Sequence, residues 1–267
     1  MYSLGFLGAG KMGAALIGGL REKKEDVTCL FFDASPERRK EVEALCGFPS
    51  ESDIAAVMAR SDAAVIAVKP QVYPLIAGEI AAAYRGDRLL ISIMAGVTIA
   101  TLSKNLPEDA KIIRLMPNMA MSVGAGVLLM TCNNNVSDTE KERIKGIFAD
   151  MALVKEIPEK LMDAGTAISG SGPAFFYTMI EGMTLGGIEA GFGKDEAEEL
   201  SVQTMKGAAA LLEKTAKGPA KLREEMMSAG GTTVAGVAVL EKSGFRGDVG
   251  EAVRAAWRRS KELSEGS

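Results

Sequence analysis

The chain predicts an α/β fold, a mostly parallel sheet with helices on both faces, followed by an all-helical region. Three observations carry this. Short apolar runs alternate with helical segments through the first half, a glycine-rich turn joins the first run to the first helix, and strand signals stop after Thr139. A length of 267 residues suits one large domain or two modest ones with a full hydrophobic core.

Taken in order, residues 2–7 form a short apolar run that reads as a buried strand, a helical stretch follows Gly13, and residues 27–32 form a second buried run ending at Asp33. That is a βαβ unit. Further apolar runs at 63–68, 89–93, 112–116 and 126–131 alternate with helical segments near 36–46, 54–60 and 73–84. Parallel strands joined by such crossovers place helices on both faces. Residues 139–150 read as a helix entered by an acidic first turn, and from about Leu161 the remainder reads as helices. Pro173 falls inside that run, where its missing N–H and its ring predict a kink. Gly182, Gly186 and Ala190 recur at helical spacing and let another helix approach, within the domain or across an oligomer interface. The change of character at 154–159 sets the expected domains as 1–158 and 159–267.

Lys and Arg number 31 against 35 Asp and Glu, so the net charge of −4 offers no basic footprint for nucleic acid or an acidic membrane surface. The chain has no histidine. That removes Ser/His/Asp and Cys/His nucleophile pairs, histidine zinc sites and imidazole acid–base work, leaving hydroxyls, lysines, carboxyls, backbone amides or a cofactor. Cys29, Cys46 and Cys132 are odd in number and form no CxxC pair, so neither a disulfide framework nor a thiolate metal site is expected, and a reducing cytoplasmic compartment fits. The first ten residues lack the basic and apolar regions of a signal peptide. The longest uncharged stretch, 115–137, contains Pro117 and an asparagine run, so it does not read as a membrane span.

Gly8-Ala9-Gly10-Lys11-Met12-Gly13 is a complete G-x-G-x-x-G that follows a strand, opens a helix and precedes Asp33 by the spacing of a dinucleotide fingerprint. In this Rossmann context Gly8 permits the tight turn, Gly10 lets the backbone approach a pyrophosphate, Gly13 lets helix pack on strand, and the helix start attracts phosphate. Asp33 is placed to accept hydrogen bonds from an adenosine 2′-hydroxyl, which favours NAD. Ser35, Arg38 and Arg39 point instead to a 2′-phosphate, or the arginines form a solvated helix face. Cofactor choice stays open on the residues alone. Ala67-Val68-Lys69-Pro70 and Ile93-Met94-Ala95 close two further strands and are placed to border the cofactor. Lys69 by itself reads more readily as a surface lysine than as a phosphate contact or proton donor. Ser228-Ala229-Gly230-Gly231-Thr232-Thr233 precedes a helical run and suits either a carboxylate site or a plain N-cap.

These motifs together resemble pyrroline-5-carboxylate reductase over nearly the whole chain. The resemblance rests on the glycine loop, Ala67-Val68-Lys69-Pro70-Gln71, Ala95-Gly96-Val97-Thr98, Arg114-Leu115-Met116-Pro117-Asn118, Ser169-Gly170-Ser171-Gly172-Pro173-Ala174, and Ala229-Gly230-Gly231-Thr232-Thr233 with Gly244-Phe245-Arg246. It implies reduction of 1-pyrroline-5-carboxylate to L-proline with NADPH, or with NADH. It also implies a helical dimerisation domain interlaced with a partner, in dimers that assemble into decamers. Carried over by position, Gly8, Ala9, Gly10, Lys11, Met12, Gly13, Ser35, Ala67, Val68, Lys69, Pro70, Ile93, Met94 and Ala95 border the nucleotide, and Asp33 joins them on the spacing rule alone. The substrate carboxylate falls to Ser228, Gly230, Gly231 and Thr232, the ring nitrogen to Thr233 as the catalytic hydroxyl, and Glu159 lies near the substrate. No metal is implied.

The sequence departs from the family pattern in several places, Asp33 among them as atypical of strict NADP users. Ala229 replaces a proline whose fixed φ pre-organises the loop, Glu224 and Glu225 add charge beside an anion site, and Ile54 stands where a polar cofactor contact is usual. The competing readings are another two-domain imine or hydroxyacid dehydrogenase, for which Lys160 and Lys194 are the available lysines, and a nucleotide-binding protein without catalysis.

Overall fold

The computed structural model describes residues 1–23 and 26–265. Two compact units divide it, residues 1–170 with 256–267 and residues 171–255. In the first, β1 (Tyr2–Leu7), β2 (Val27–Phe32), β3 (Ala63–Ile66), β4 (Leu89–Ser92), β5 (Lys111–Pro117), β6 (Gly126–Cys132) and β7 (Ala152–Glu156) form one sheet in the order β2-β1-β3-β4-β5-β6-β7. The first five strands are parallel, β6 runs antiparallel to β5, and β7 is parallel to β6.

Strand alternation sorts the core into two layers. Ala63 and Val65 of β3 face one way with Leu4, Phe6 and Ile91, and are covered by α1 (Lys11–Lys23), α2 (Pro36–Cys46) and α6 (Asp138–Phe148). Ala64 and Ile66 face the other way with Leu90 and Ile112, beneath α3 (Ile54–Arg60), α4 (Tyr73–Ala83) and α5 (Ile99–Ser103). The period-2 pattern therefore buries both faces, as a parallel sheet requires. Caps fix the helix starts: Ser35, Asp53 and Thr98 accept an N–H from the first turns of α2, α3 and α5, and Ser137 with Glu140 forms a capping box on α6.

Two sequence expectations need correction. Strand structure does not stop at Thr139, because β7 pairs with β6 from Ala152 to Glu156. This edge strand buries only Ala152 and ends in Lys155 and Glu156, so it lacks the apolar alternation that marks a strand. Pro173 kinks nothing. The chain passes through α7 (Met162–Gly165) and a π-helical turn (Thr166–Gly170), and α8 (Gly172–Glu189) begins one residue before the proline. Its missing N–H is thus one of those that any helix start leaves unpaired.

The second unit holds α8, α9 (Lys194–Thr215), α10 (Pro219–Glu225) and α11 (Thr232–Lys242), and the first half of α12 (Phe245–Glu265). Gly187 brings α8 against α9, since a Cβ there would sit 3.0 Å from the Ala197 Cβ, whereas Gly182 and Gly186 face open space. Among the described residues α10 and α11 bury none, while Phe176, Tyr177, Leu185 and Val239 are exposed. An apolar surface of that extent marks a contact face.

Candidate active site

The glycine loop is shaped by contacts that exclude side chains. Gly8 has φ +97°, and a Cβ on it would lie 2.9 Å from Val68 Cγ1 and 3.0 Å from the Ala67 backbone. A Cβ on Gly13 would lie 2.8 Å from the Gly8 carbonyl oxygen, so this glycine lets α1 pack on the turn. Gly10 is different, for a Cβ on it meets nothing within 4 Å. Its carbonyl accepts the first α1 hydrogen bond from Ala14, which leaves the amides of Lys11, Met12 and Gly13 without an intrahelical acceptor.

Beside this loop lies a cavity of about 390 Å³ lined by Leu7, Gly8, Gly10, Phe32, Asp33, Ala34, Ile54, Ala67, Val68, Lys69, Val72 and Ile76. It joins the C-terminal ends of β1, β2 and β3, where open α/β sheets bind ligands. An apolar pocket next to an open glycine, free amides and the exposed Lys69 suits the adenosine and pyrophosphate of a dinucleotide. Of the residues expected there, Gly8, Gly10, Asp33, Ala67, Val68 and Lys69 line the cavity, and Ala9, Lys11, Met12, Gly13, Ser35 and Pro70 flank them in the chain. Ile93, Met94 and Ala95 do not line it. Ile93 is held at the end of β4 by donating to the Ile66 carbonyl at 3.1 Å, Met94 is buried in the core, and Ile93 and Ala95 on either side of it are half-buried. Sequence reading missed Val72 and Ile76, which enter because α4 starts immediately after the Lys69-Pro70 turn. Ile54 turns out to belong to the apolar wall.

Polar groups at the β2–α2 turn are tightly engaged. Asp33 accepts the N–H of Ala9 at 2.8 Å and that of Ser35 at 3.0 Å. The Ser35 hydroxyl caps α2 by accepting the Arg38 N–H at 3.1 Å and donates to Glu37 at 2.9 Å.

Glu159 lies in the first unit. Its Oε1 accepts the N–H of Ile99 at the start of α5 (2.7 Å) and pairs with Arg114 at 3.2 Å. Arg114 is 3% exposed on β5, where the strand alternation calls for an apolar side chain, so Glu159 supplies the counter-charge of a buried guanidinium. Asn118 reaches the π-helical turn, donating to the Ser169 carbonyl at 2.9 Å while accepting the Val127 N–H. Removing one partner of a buried pair leaves an uncompensated charge. Glu159→Ala is expected to lower unfolding stability by about 2–3 kcal/mol, with Glu159→Gln recovering part of the loss, as read from urea midpoints.

In the second unit, residues 228–231 close a turn through a 2.9 Å bond from the Gly231 N–H to the Ser228 carbonyl, with Gly230 at φ +72°. Positive φ at the third position is what a type II turn demands, and proline is favoured one place earlier, where this chain has Ala229. Gly231 is the N-cap of α11 without a side-chain cap, so the amides of Thr232 and Thr233 and both exposed hydroxyls stand together with Ser228. Such a group of donors is suited to an anion. The charge of Glu225 is offset by Lys217 at 2.7 Å. Thiols contribute nothing: burial pushes the Cys29 thiol up to about 12 and also raises Cys46 and Cys132.

Fold and site together define a dinucleotide-dependent oxidoreductase with an additional helical domain. Residues 3–96 match the family described as NADP oxidoreductase, coenzyme F420-dependent, and residues 159–263 match pyrroline-5-carboxylate reductase dimerisation. The chain belongs to the pyrroline-5-carboxylate reductase family. It is 39% identical to the Synechocystis sp. pyrroline-5-carboxylate reductase over 264 residues, 98% of both chains, and 34% identical to that of Aquifex aeolicus over 97% of each. A crystal structure of the Plasmodium falciparum pyrroline carboxylate reductase with NADP bound superposes with a TM-score of 0.89 at 32% identity, covering 98% of each chain.

Proposed function

We propose that this protein reduces 1-pyrroline-5-carboxylate to L-proline with NADPH, NADH being the weaker alternative, as the last step of proline biosynthesis. The observation that carries the proposal is near-full-length similarity to pyrroline-5-carboxylate reductases, joined to an intact glycine loop and an intact Gly230-Gly231-Thr232-Thr233 helix start.

The cofactor, when bound, supplies the hydride that C5 of the imine accepts. The amides opening α1 and the Lys69 amine would hold its phosphates and the apolar wall from Ile54 to Ile76 would receive the adenosine, while residues 93–95, by their place after β4, would border the remainder. At the start of α11, Ser228, the turn through Gly230 and Gly231, and the amide of Thr232 hold the substrate carboxylate. The Thr233 hydroxyl donates a hydrogen bond to the ring nitrogen and polarises the C=N bond as the hydride arrives, with the nitrogen's proton drawn from solvent, so no strong acid is needed and a chain without histidine suffices. Glu159 borders the substrate and keeps Arg114 and α5 in place. Most of the rate then comes from positioning two reactants that need little further activation.

The functional division places the dinucleotide-binding domain at 1–158 and the dimerisation and substrate-binding domain at 159–267, which the dimerisation match at 159–263 supports. The protein forms oligomers through this helical part, as its exposed apolar side chains favour, with dimers assembling into a decamer in the cytoplasm. Among the described residues no helix is long and apolar enough to cross a membrane. Mixing purified protein with 1-pyrroline-5-carboxylate and either NADPH or NADH should oxidise both, NADPH with the higher kcat/KM. Oxidation of neither cofactor by a protein that binds both would remove the reductase reading.

A further inference from the structure

We propose that Asp33 and Arg38 brace the glycine loop, and that Arg39 selects the 2′-phosphate of the dinucleotide. This rests on the dinucleotide reading of the cavity. An aspartate at this position ordinarily discriminates by accepting ribose hydroxyls and repelling a phosphate. Here the carboxylate has another task, since its two oxygens accept the N–H groups of Ala9 and Ser35 at 2.8 and 3.0 Å. Arg38 completes the grip by donating from Nε to the Ala9 carbonyl at 2.7 Å, while its NH1 pairs with Glu41 at 2.7 Å. Both peptide groups of the fully buried Ala9 are therefore held from the β2–α2 turn, one by an anion and one by a cation. Ala9 links Gly8 to Gly10, so this grip sets the direction of the amides that meet the pyrophosphate.

Arg39 is engaged differently. Its NH1 donates to the Asp33 carbonyl at 2.6 Å, and its guanidinium lies 5.5 Å from the centroid of Phe32, a residue of the cavity wall. Among the described residues no carboxylate lies within ion-pair distance of it, although, after their own hydrogen bonds, its charge helps to hold the Glu37 and Glu43 carboxyls down, and one anchored N–H leaves the rest of its donor fork available. A guanidinium held against an aromatic side chain of the adenosine pocket's wall is the kind of group that a 2′-phosphate requires. On this reading the turn carries two separable functions, loop geometry in Asp33 and Arg38 and phosphate selection in Arg39.

The test measures Kd for NADPH and NADH by fluorescence titration, and for adenosine 2′-monophosphate by competition, on the full-length protein without substrate. Asparagine keeps the shape of aspartate but has only one oxygen to accept two N–H groups. Asp33→Asn should weaken both dinucleotides to similar extents, on the order of tenfold, and leave 2′-monophosphate binding unchanged because that ligand does not touch the glycine loop. Arg39→Ala should weaken NADPH and the 2′-monophosphate by on the order of tenfold or more, with little change for NADH. Tighter NADPH binding by Asp33→Asn, or loss of NADH alone, would make Asp33 a ribose selector and overturn the brace. An unchanged NADPH-to-NADH ratio in Arg39→Ala would overturn the assignment of selection. If the unmodified protein binds neither dinucleotide, the cofactor reading itself fails, which is a different result from either.

Discussion

Thr233→Ala lowers kcat by on the order of a hundredfold while NADPH binds as before. Thr233 sits in the first turn of α11 with its side chain exposed and its hydroxyl bonded to no other group among the described residues. Alanine is a better helix former than threonine, so the fold has nothing to lose. What disappears is the one donor assigned to the imine nitrogen, and a donor used in the transition state acts on kcat rather than on uniform binding. Thr233→Ser keeps a hydroxyl at the same place and should recover most of the rate. A Thr233→Ala protein with unaltered kcat, or one that loses NADPH affinity in parallel, would move the hydroxyl out of the chemical step.

Gly10→Ala should abolish useful NADPH binding, raising Kd by on the order of tenfold or more, without changing thermal stability. A Cβ at Gly10 touches nothing in the protein, so the folded chain accepts alanine there, and the added methyl projects where backbone and pyrophosphate must come together. Gly8→Ala provides the contrast. Its backbone is left-handed, with protein atoms 2.9 to 3.0 Å from a Cβ, so this variant loses stability as well as cofactor. Calorimetric unfolding beside a binding titration separates the two. Equal affinity of Gly10→Ala and the parent for NADPH would mean that the dinucleotide does not approach this loop.

The βαβ unit was legible because its punctuation is strong and local: two buried runs, a glycine turn forced by steric need, and an aspartate at the fixed spacing. The helix start at Thr232 was legible for the same reason, as paired glycines and hydroxyls leave few other structures available. Edges were not. β7 is half polar because only one side of it is paired, and Pro173 could be placed at a helix start only once the π-helical turn before it was known. Long-range pairings were invisible. Nothing in the sequence joins Arg114 to Glu159, although their ion pair explains how a charge survives on a buried strand. Asp33 illustrates the limit of motif rules, since its position was correct while its two backbone partners are features of the folded turn.

The most direct measurement is transfer of the label itself. The protein is incubated with 1-pyrroline-5-carboxylate and NADPH deuterated at the transferring position of the nicotinamide, and the product is analysed by mass spectrometry and proton NMR. The expected product is L-proline with a single deuterium at C5 and a stoichiometric amount of NADP⁺. Oxidised cofactor without labelled proline, or proline labelled at another carbon, would contradict hydride delivery to the imine.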